Sequence, residues 1–312
     1  MNVLPWRALA RAAPKGLCMG LLAGLLMTGS AAALAGSTRF CDRPLSLSAP
    51  QKDELFRFGA IVKDELERSG QRVALVARSG LNLGRFGVRY SHAGVSLKAS
   101  ANTPWSVRQL YYACDERQPR VFDQGMSGFL LGTDDPAEGY VSIVFLPPEP
   151  AAALEATALS NRRALQVLNP VYSANAYAFG LRYQNCNQWL AELLASAWGE
   201  MDDASEPRAQ AQQWLQTQGY EPSAIDVGGP LMWLGTLSPF IHSLDHPKAD
   251  VEAGIYRVSM PAAIDAFVQR TQPGATRVEI CHKDRRVVIH RGWDGVADGC
   301  TPAAHDTVLA LD

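Results

Sequence analysis

Tyr90-Ser91-His92-Ala93-Gly94-Val95 and Tyr183-Gln184-Asn185-Cys186-Asn187-Gln188-Trp189-Leu190 are the two stretches whose reading decides the fold. The first predicts a strand that opens on a histidine. The second predicts a helix that opens on a cysteine, because Asn185 is a good N-cap residue and Leu190, Leu193, Leu194 and Trp198 then share one face. Gly199 is the expected C-cap. The two stretches lie 94 residues apart, so only the fold can bring His92 and Cys186 together.

Outward from these stretches, the chain alternates short strands with helices. Ser48-Ala49-Pro50 opens a helix whose Leu55, Phe58, Val62 and Leu66 recur at helical spacing, and Gly70 closes it. Residues 72–78, 90–98, 105–114 and 141–146 read as strands. Residues 150–168 read as one helical run rich in Ala and Leu, broken at Asn169-Pro170. Beyond residue 200 an acidic linker leads to a short helix over 208–217. Residues 221–250, rich in Gly, Pro and Ser, read as an irregular excursion. A strand (254–260), a helix (261–269) and a hairpin turning at Lys283-Asp284 complete the chain. The expected organisation is a leader over 1–35, a core over 36–200, and a linker with a small α+β extension over 201–312 that stands beside the core or completes its sheet. The fold class is α+β: an antiparallel sheet packed on the cysteine-bearing helix.

The first 35 residues read as an export signal. Arg7, Arg11 and Lys15 precede an apolar stretch of 11 residues, Leu17 to Met27, and Ala33-Leu34-Ala35 offers a cleavage site before Gly36. The stretch is short for a membrane span. Removing those residues leaves 277 with a net charge of −5, which argues against nucleic acid as a partner. No later segment is long and apolar enough to span a bilayer. The expected location is periplasmic or secreted.

Cys18 goes with the leader, and Cys41, Cys114, Cys186, Cys281 and Cys300 remain. In an oxidising compartment an odd number implies bridges plus one free thiol. Cys281–Cys300 and Cys41–Cys114 are the expected pairs, leaving Cys186 free, although the sequence permits other pairings. Cys281, His282, His290, Cys300 and His305 also read as a metal cluster, but their spacing fits no standard zinc pattern and a disulfide is simpler. No metal and no cofactor are expected.

A thiol at a helix N-terminus is favoured as thiolate by the helix dipole and unpaired N–H groups. The same N–H groups can hold the oxyanion of a tetrahedral intermediate. His92 is the expected general base and acid for Cys186. A third polar residue should orient the imidazole. Gln109, in the strand V-R-Q-L, is the first candidate and Asp123, in V-F-D-Q-G, the second.

The order S-H-A-G-V, then N-C-N-Q-W-L, resembles the circularly permuted branch of the NlpC-type papain-like superfamily, in which the histidine strand precedes the cysteine helix. Lecithin-retinol acyltransferase-like proteins share that order and a similar start to the cysteine helix. Over residues 38–200 the chain is also similar to an exported bacterial family of unknown function, through Trp105 to Cys114, Phe122-Asp123-Gln124-Gly125 and Tyr183 to Leu194. The resemblance implies a permuted papain-like core and a Cys–His pair with a polar third member. It implies amide or ester substrates: cell-wall peptides, peptide bonds or acyl lipids. Gln109 departs from the charged or imidazole group usual at the third position. The expected function is thiol hydrolysis or acyl transfer, with peptidoglycan stem peptides as the default substrate. The alternative is a non-catalytic envelope binding or assembly protein on the same fold. The oligomeric state is left open.

Overall fold

Val73-Ala74-Leu75-Val76-Ala77 has no polar position, and every residue of strand β1 (Val73–Arg78) is buried. A strand that is apolar on both faces needs cover on both faces. The computed structural model has that arrangement; it describes residues 46–201, 205–228, 235 and 238–311. The leader, Cys18 and Cys41 therefore lie outside the described residues.

β1 is flanked by β2 (His92–Leu97) and β5 (Glu138–Phe145). On the β2 side follow β3 (Ser106–Ala113) and β4 (Gln118–Gln124). On the β5 side follow β8 (Thr276–Lys283), β9 (Arg286–Arg291) and β10 (Thr307–Ala310). All neighbours in this eight-stranded sheet are antiparallel. A second, two-stranded sheet pairs β6 (Ser223–Asp226) with β7 (Ile255–Val258).

Alternation along β1 sorts the core into two layers. Val73, Leu75 and Ala77 join Val95, Leu110, Trp189, Leu193 and Phe267. That layer is built by α3 (Pro148–Leu159), α4 (Asn161–Gln166), α5 (Cys186–Trp198), α6 (Pro207–Thr217) and α8 (Pro261–Thr271). Ala74 and Val76 join Phe58, Val62, Val107 and Phe129, the layer of α1 (Ala49–Arg68) and α2 (Met126–Leu130). The short helix α7 (Lys248–Ala253) leads into β7. The protein is thus α+β, a large antiparallel sheet with helices on both faces. No described helix is long and apolar enough to cross a membrane.

Three expectations need correction. The single helix over 150–168 is two, because Ser160 leaves helical geometry (φ −79°, ψ 109°) and caps α4 through a bond from Arg163 N–H. The excursion over 221–250 contains β6 and begins α7. The β8–β9 hairpin turns at Asp284-Arg285, one residue later than the expected Lys283-Asp284. Of the two arrangements expected for the C-terminal extension, its strands adopt the second and complete the main sheet, with β8 paired along the whole of β5. Among the expected disulfides, Cys281–Cys300 is formed and ties β8 to the loop before β10. Cys114 is disulfide-bonded, and Cys186 is free.

Candidate functional site

Cys186 opens α5 because Asn185 caps it: Asn185 Oδ1 accepts the Gln188 N–H at 2.7 Å. Every residue from Cys186 to Ala197 is buried, so the helix is gripped on all sides. One grip is ionic. Glu192, fully buried, accepts from Arg208 at 2.8 Å, from Gln184 at 2.6 Å and from Gln212 at 2.8 Å. Arg208 also donates to the carbonyls of Leu181 and Tyr183, fastening the loop before Cys186 to the helix. Asn187 Nδ2 donates to the Ser91 carbonyl at 3.1 Å, which pins the helix start beside the start of β2.

The N–H groups of Cys186 and Asn187 and the Tyr172 hydroxyl lie near the Cys186 sulfur and favour its thiolate. Burial pushes its pKa up more strongly than those donors and the nearby Arg78 charge pull it down, so it stands at about 11. The helix N-terminus acts in the expected direction, but desolvation outweighs it, and the resting thiol is neutral.

His92 Nε2 lies 2.6 Å from Gln109 Oε1. Gln109 in turn donates through Nε2 to Gln124 Oε1 at 2.6 Å. With the amide held this way round, His92 Nε2 carries the proton and Nδ1 keeps a lone pair. Gly94 makes the approach of Gln109 feasible: a Cβ there would stand 2.6 Å from Val107 Cγ1 and 3.1 Å from Gln109 Cβ. Tyr111 stacks on the imidazole with centroids 4.4 Å apart, and Phe129 lies at 6.0 Å. Burial, and then the Arg78 charge, hold the His92 pKa down at about 3. Asp123, the other candidate, is bound instead by Arg108 through two contacts of 2.6 Å.

His92 and Cys186 border one cavity of about 470 Å³, at the end of β1 and β2, together with Arg78, Tyr111, Tyr172 and Asn187. They reach it from different sides. The imidazole stands with Gln109 and Phe129 on the α1–α2 side of the sheet, whereas the thiol belongs to the opposite layer. No hydrogen bond joins them among the described residues. The structure therefore brings His92 to Gln109, and brings Cys186 to the same cavity without bonding it to His92.

Two site residues were missed in the sequence. Arg78 has a visible signal: it is the lone charge in the otherwise apolar strand β1. Tyr172 has none, sitting in a loop distant in sequence from any motif. Tyr183, at the head of the cysteine stretch, stacks on His242 at 4.5 Å. As to metals, the Cys281–Cys300 bridge removes both cysteines from the C-terminal cluster. His290, His305 and Asp306 there hold donor atoms within 4.8 Å of one another, and His290 Nδ1 bonds Asp306 Oδ1 at 2.7 Å.

Residues 65–268 match the family described as "Uncharacterized protein conserved in bacteria (DUF2145)", and the chain belongs to that family. No curated protein and no solved structure matches the chain.

Proposed function

We propose that this member of an uncharacterized bacterial family is an exported thiol hydrolase or acyltransferase on a permuted papain-like core. Cys186 is the nucleophile, His92 the general base and acid, and Gln109 the residue that orients the imidazole. The observation that carries the reading is the 2.6 Å contact of His92 Nε2 with Gln109, which leaves Nδ1 free at a cavity that Cys186 also borders. In the reaction His92 Nδ1 takes the thiol proton as sulfur attacks the carbonyl carbon. The new C–S bond replaces the bond to the leaving amine or alcohol, which departs with that proton. Water or an acceptor then attacks the thioester, the C–S bond breaks, and the thiol is restored. The Cys186 and Asn187 N–H groups and the Tyr172 hydroxyl are the available donors for the oxyanion. The resting groups are neutral, unbonded and on opposite faces of the sheet, so this reading requires them to approach each other across the cavity when substrate binds. The disulfide Cys281–Cys300 supports a periplasmic or secreted location, since such bonds persist in oxidising compartments. An amide or ester of an apolar group fits the cavity better than a polar stem peptide.

The second reading, a non-catalytic binding protein of the envelope, is favoured by one observation: the thiol is buried, neutral and not hydrogen-bonded to His92. The test is turnover of a panel of ester and amide substrates. Catalysis predicts activity in the wild type, its loss in Cys186→Ala, and a drop in Gln109→Ala. Activity unchanged in Cys186→Ala, or no turnover of any substrate, leaves the binding reading.

A further inference from the structure

Arg78 ends β1 with only 3% of its surface exposed. It donates to the carbonyls of Ser79 and Gly132 and to the Tyr111 hydroxyl, and its guanidinium lies 5.3 Å from the Phe129 ring centroid. Every one of these partners is neutral. Its Nε is buried without a partner, and no carboxylate among the described residues forms an ion pair with it. The other buried arginines differ: Arg108 pairs with Asp123, and Arg277 with Asp265 and Glu279; the half-buried Arg208 likewise pairs with Glu192. A buried charge without a counterion is strongly disfavoured unless something supplies one. Room for this guanidinium is made on purpose, since a Cβ on Gly80 or Gly132 would collide with it.

Arg78 borders the same cavity as Cys186 and His92. The rest of the wall is mainly apolar, with Leu81, Leu83, Phe86, Ile225, Val258 and Met260. Asp134, which accepts the Asn82 N–H at 3.2 Å, and the exposed Arg85 also border it, which leaves Arg78 as its buried cation. A ligand that satisfies both the wall and the cation has a hydrocarbon body and one anionic end. The planar guanidinium fork matches a carboxylate.

We propose that this cavity binds an apolar carboxylate, its hydrocarbon body on the wall and its carboxylate paired with Arg78. Under the thiol reading such a carboxylate is also the product of hydrolysis, but binding does not require Cys186 to react. Two sources share this chemistry, a fatty acid and the carboxy terminus of an apolar peptide.

Calorimetric titration of the full chain decides the matter, using dodecanoate, dodecylammonium, butanoate, and tri-leucine as free acid and as amide. Dodecanoate is expected to bind at one site, at least tenfold tighter than dodecylammonium and butanoate. Arg78→Gln and Ile225→Asp should each weaken it at least tenfold. If Arg78→Gln does not fold, the ligand series on the wild type and the Ile225→Asp variant decide. Tight binding of the tri-leucine acid but not its amide also supports the proposal and assigns the peptide source. Equal binding of dodecanoate and dodecylammonium, or no effect of Ile225→Asp, overturns it. Dodecanoate binding to Cys186→Ala in a protein without turnover would remove the thiol reading and keep this one. Turnover with no preference for carboxylate ligands would do the reverse.

Discussion

His92 and Cys186 are both held in their neutral forms by burial, and this shapes how the protein responds to pH. His92 titrates at about 3 in the folded chain against 6.5 ordinarily. Below pH 6.5 the unfolded chain therefore takes up a proton that the folded chain refuses, and stability falls as pH drops toward 3. Cys186 stands at about 11 against 9.0 ordinarily. Above pH 9 the unfolded chain loses a proton that the folded chain keeps, so stability falls again between 9 and 11. Each group contributes a slope of at most about 1.4 kcal/mol per pH unit. Urea unfolding across this range should show His92→Gln with a shallower acid limb than the wild type; identical limbs would mean that His92 is not the group responsible. At this scale much of the site was legible. Asn185 before Cys186 predicts the helix start, and Gln109 one strand over from His92 predicts its partner. Tyr172 was not, because its importance comes from what surrounds it in space, and Arg78 showed only as the lone charge in β1. The separation of His92 and Cys186 by the sheet was hidden too. His92-Ala93-Gly94-Val95-Ser96-Leu97 is buried on both faces, so its pattern does not say which face meets the helix.

The elements that carry the site depend on close packing between β2 and β3. Gly94 has no room for a side chain, with Val107 Cγ1 and the Arg108 carbonyl standing 2.6 and 2.7 Å from where its Cβ would be. Gly94→Val should destabilise the protein by about 1–3 kcal/mol, the usual cost of overpacking, and displace Gln109 from His92. The measurement is a denaturant midpoint together with the His92 ring resonances; a variant of unchanged stability would contradict the packing account. Strong local signals made most elements readable. Ser48 and Gln51 form a capping box at the start of α1, as Ser48-Ala49-Pro50 foretells. The β8–β9 hairpin was readable too, though its turn falls at Asp284 and Arg285, both with positive φ, one residue beyond the expected Lys283-Asp284. β6 and β10, each only four residues long, carry too little pattern to be read and form only because a partner strand is present. The division of α3 from α4 was readable in principle, since Ser160 is a good N-cap residue within an otherwise helical run.

Across the whole molecule, strands from both halves of the sequence share one sheet, and the Cys281–Cys300 bridge fastens its C-terminal part. The bridge spans 19 residues. Closing a loop of that size is worth about 3 kcal/mol, so Cys300→Ser should lower stability by roughly that amount, read as a shift in the unfolding midpoint. A variant as stable as the wild type would show the C-terminal strands to be held by pairing alone. The central claim concerns the cavity at the other end of the chain's logic, where a thiol and an imidazole from separate layers share one opening. The direct test is the rate at which p-nitrophenyl acetate acylates Cys186 at pH 7, followed by nitrophenolate release and by the mass of the Cys186 peptide, in the wild type and in His92→Asn. General base assistance predicts a rate at least about 100-fold lower in the variant. Equal rates in the two proteins would show that His92 does not serve the thiol.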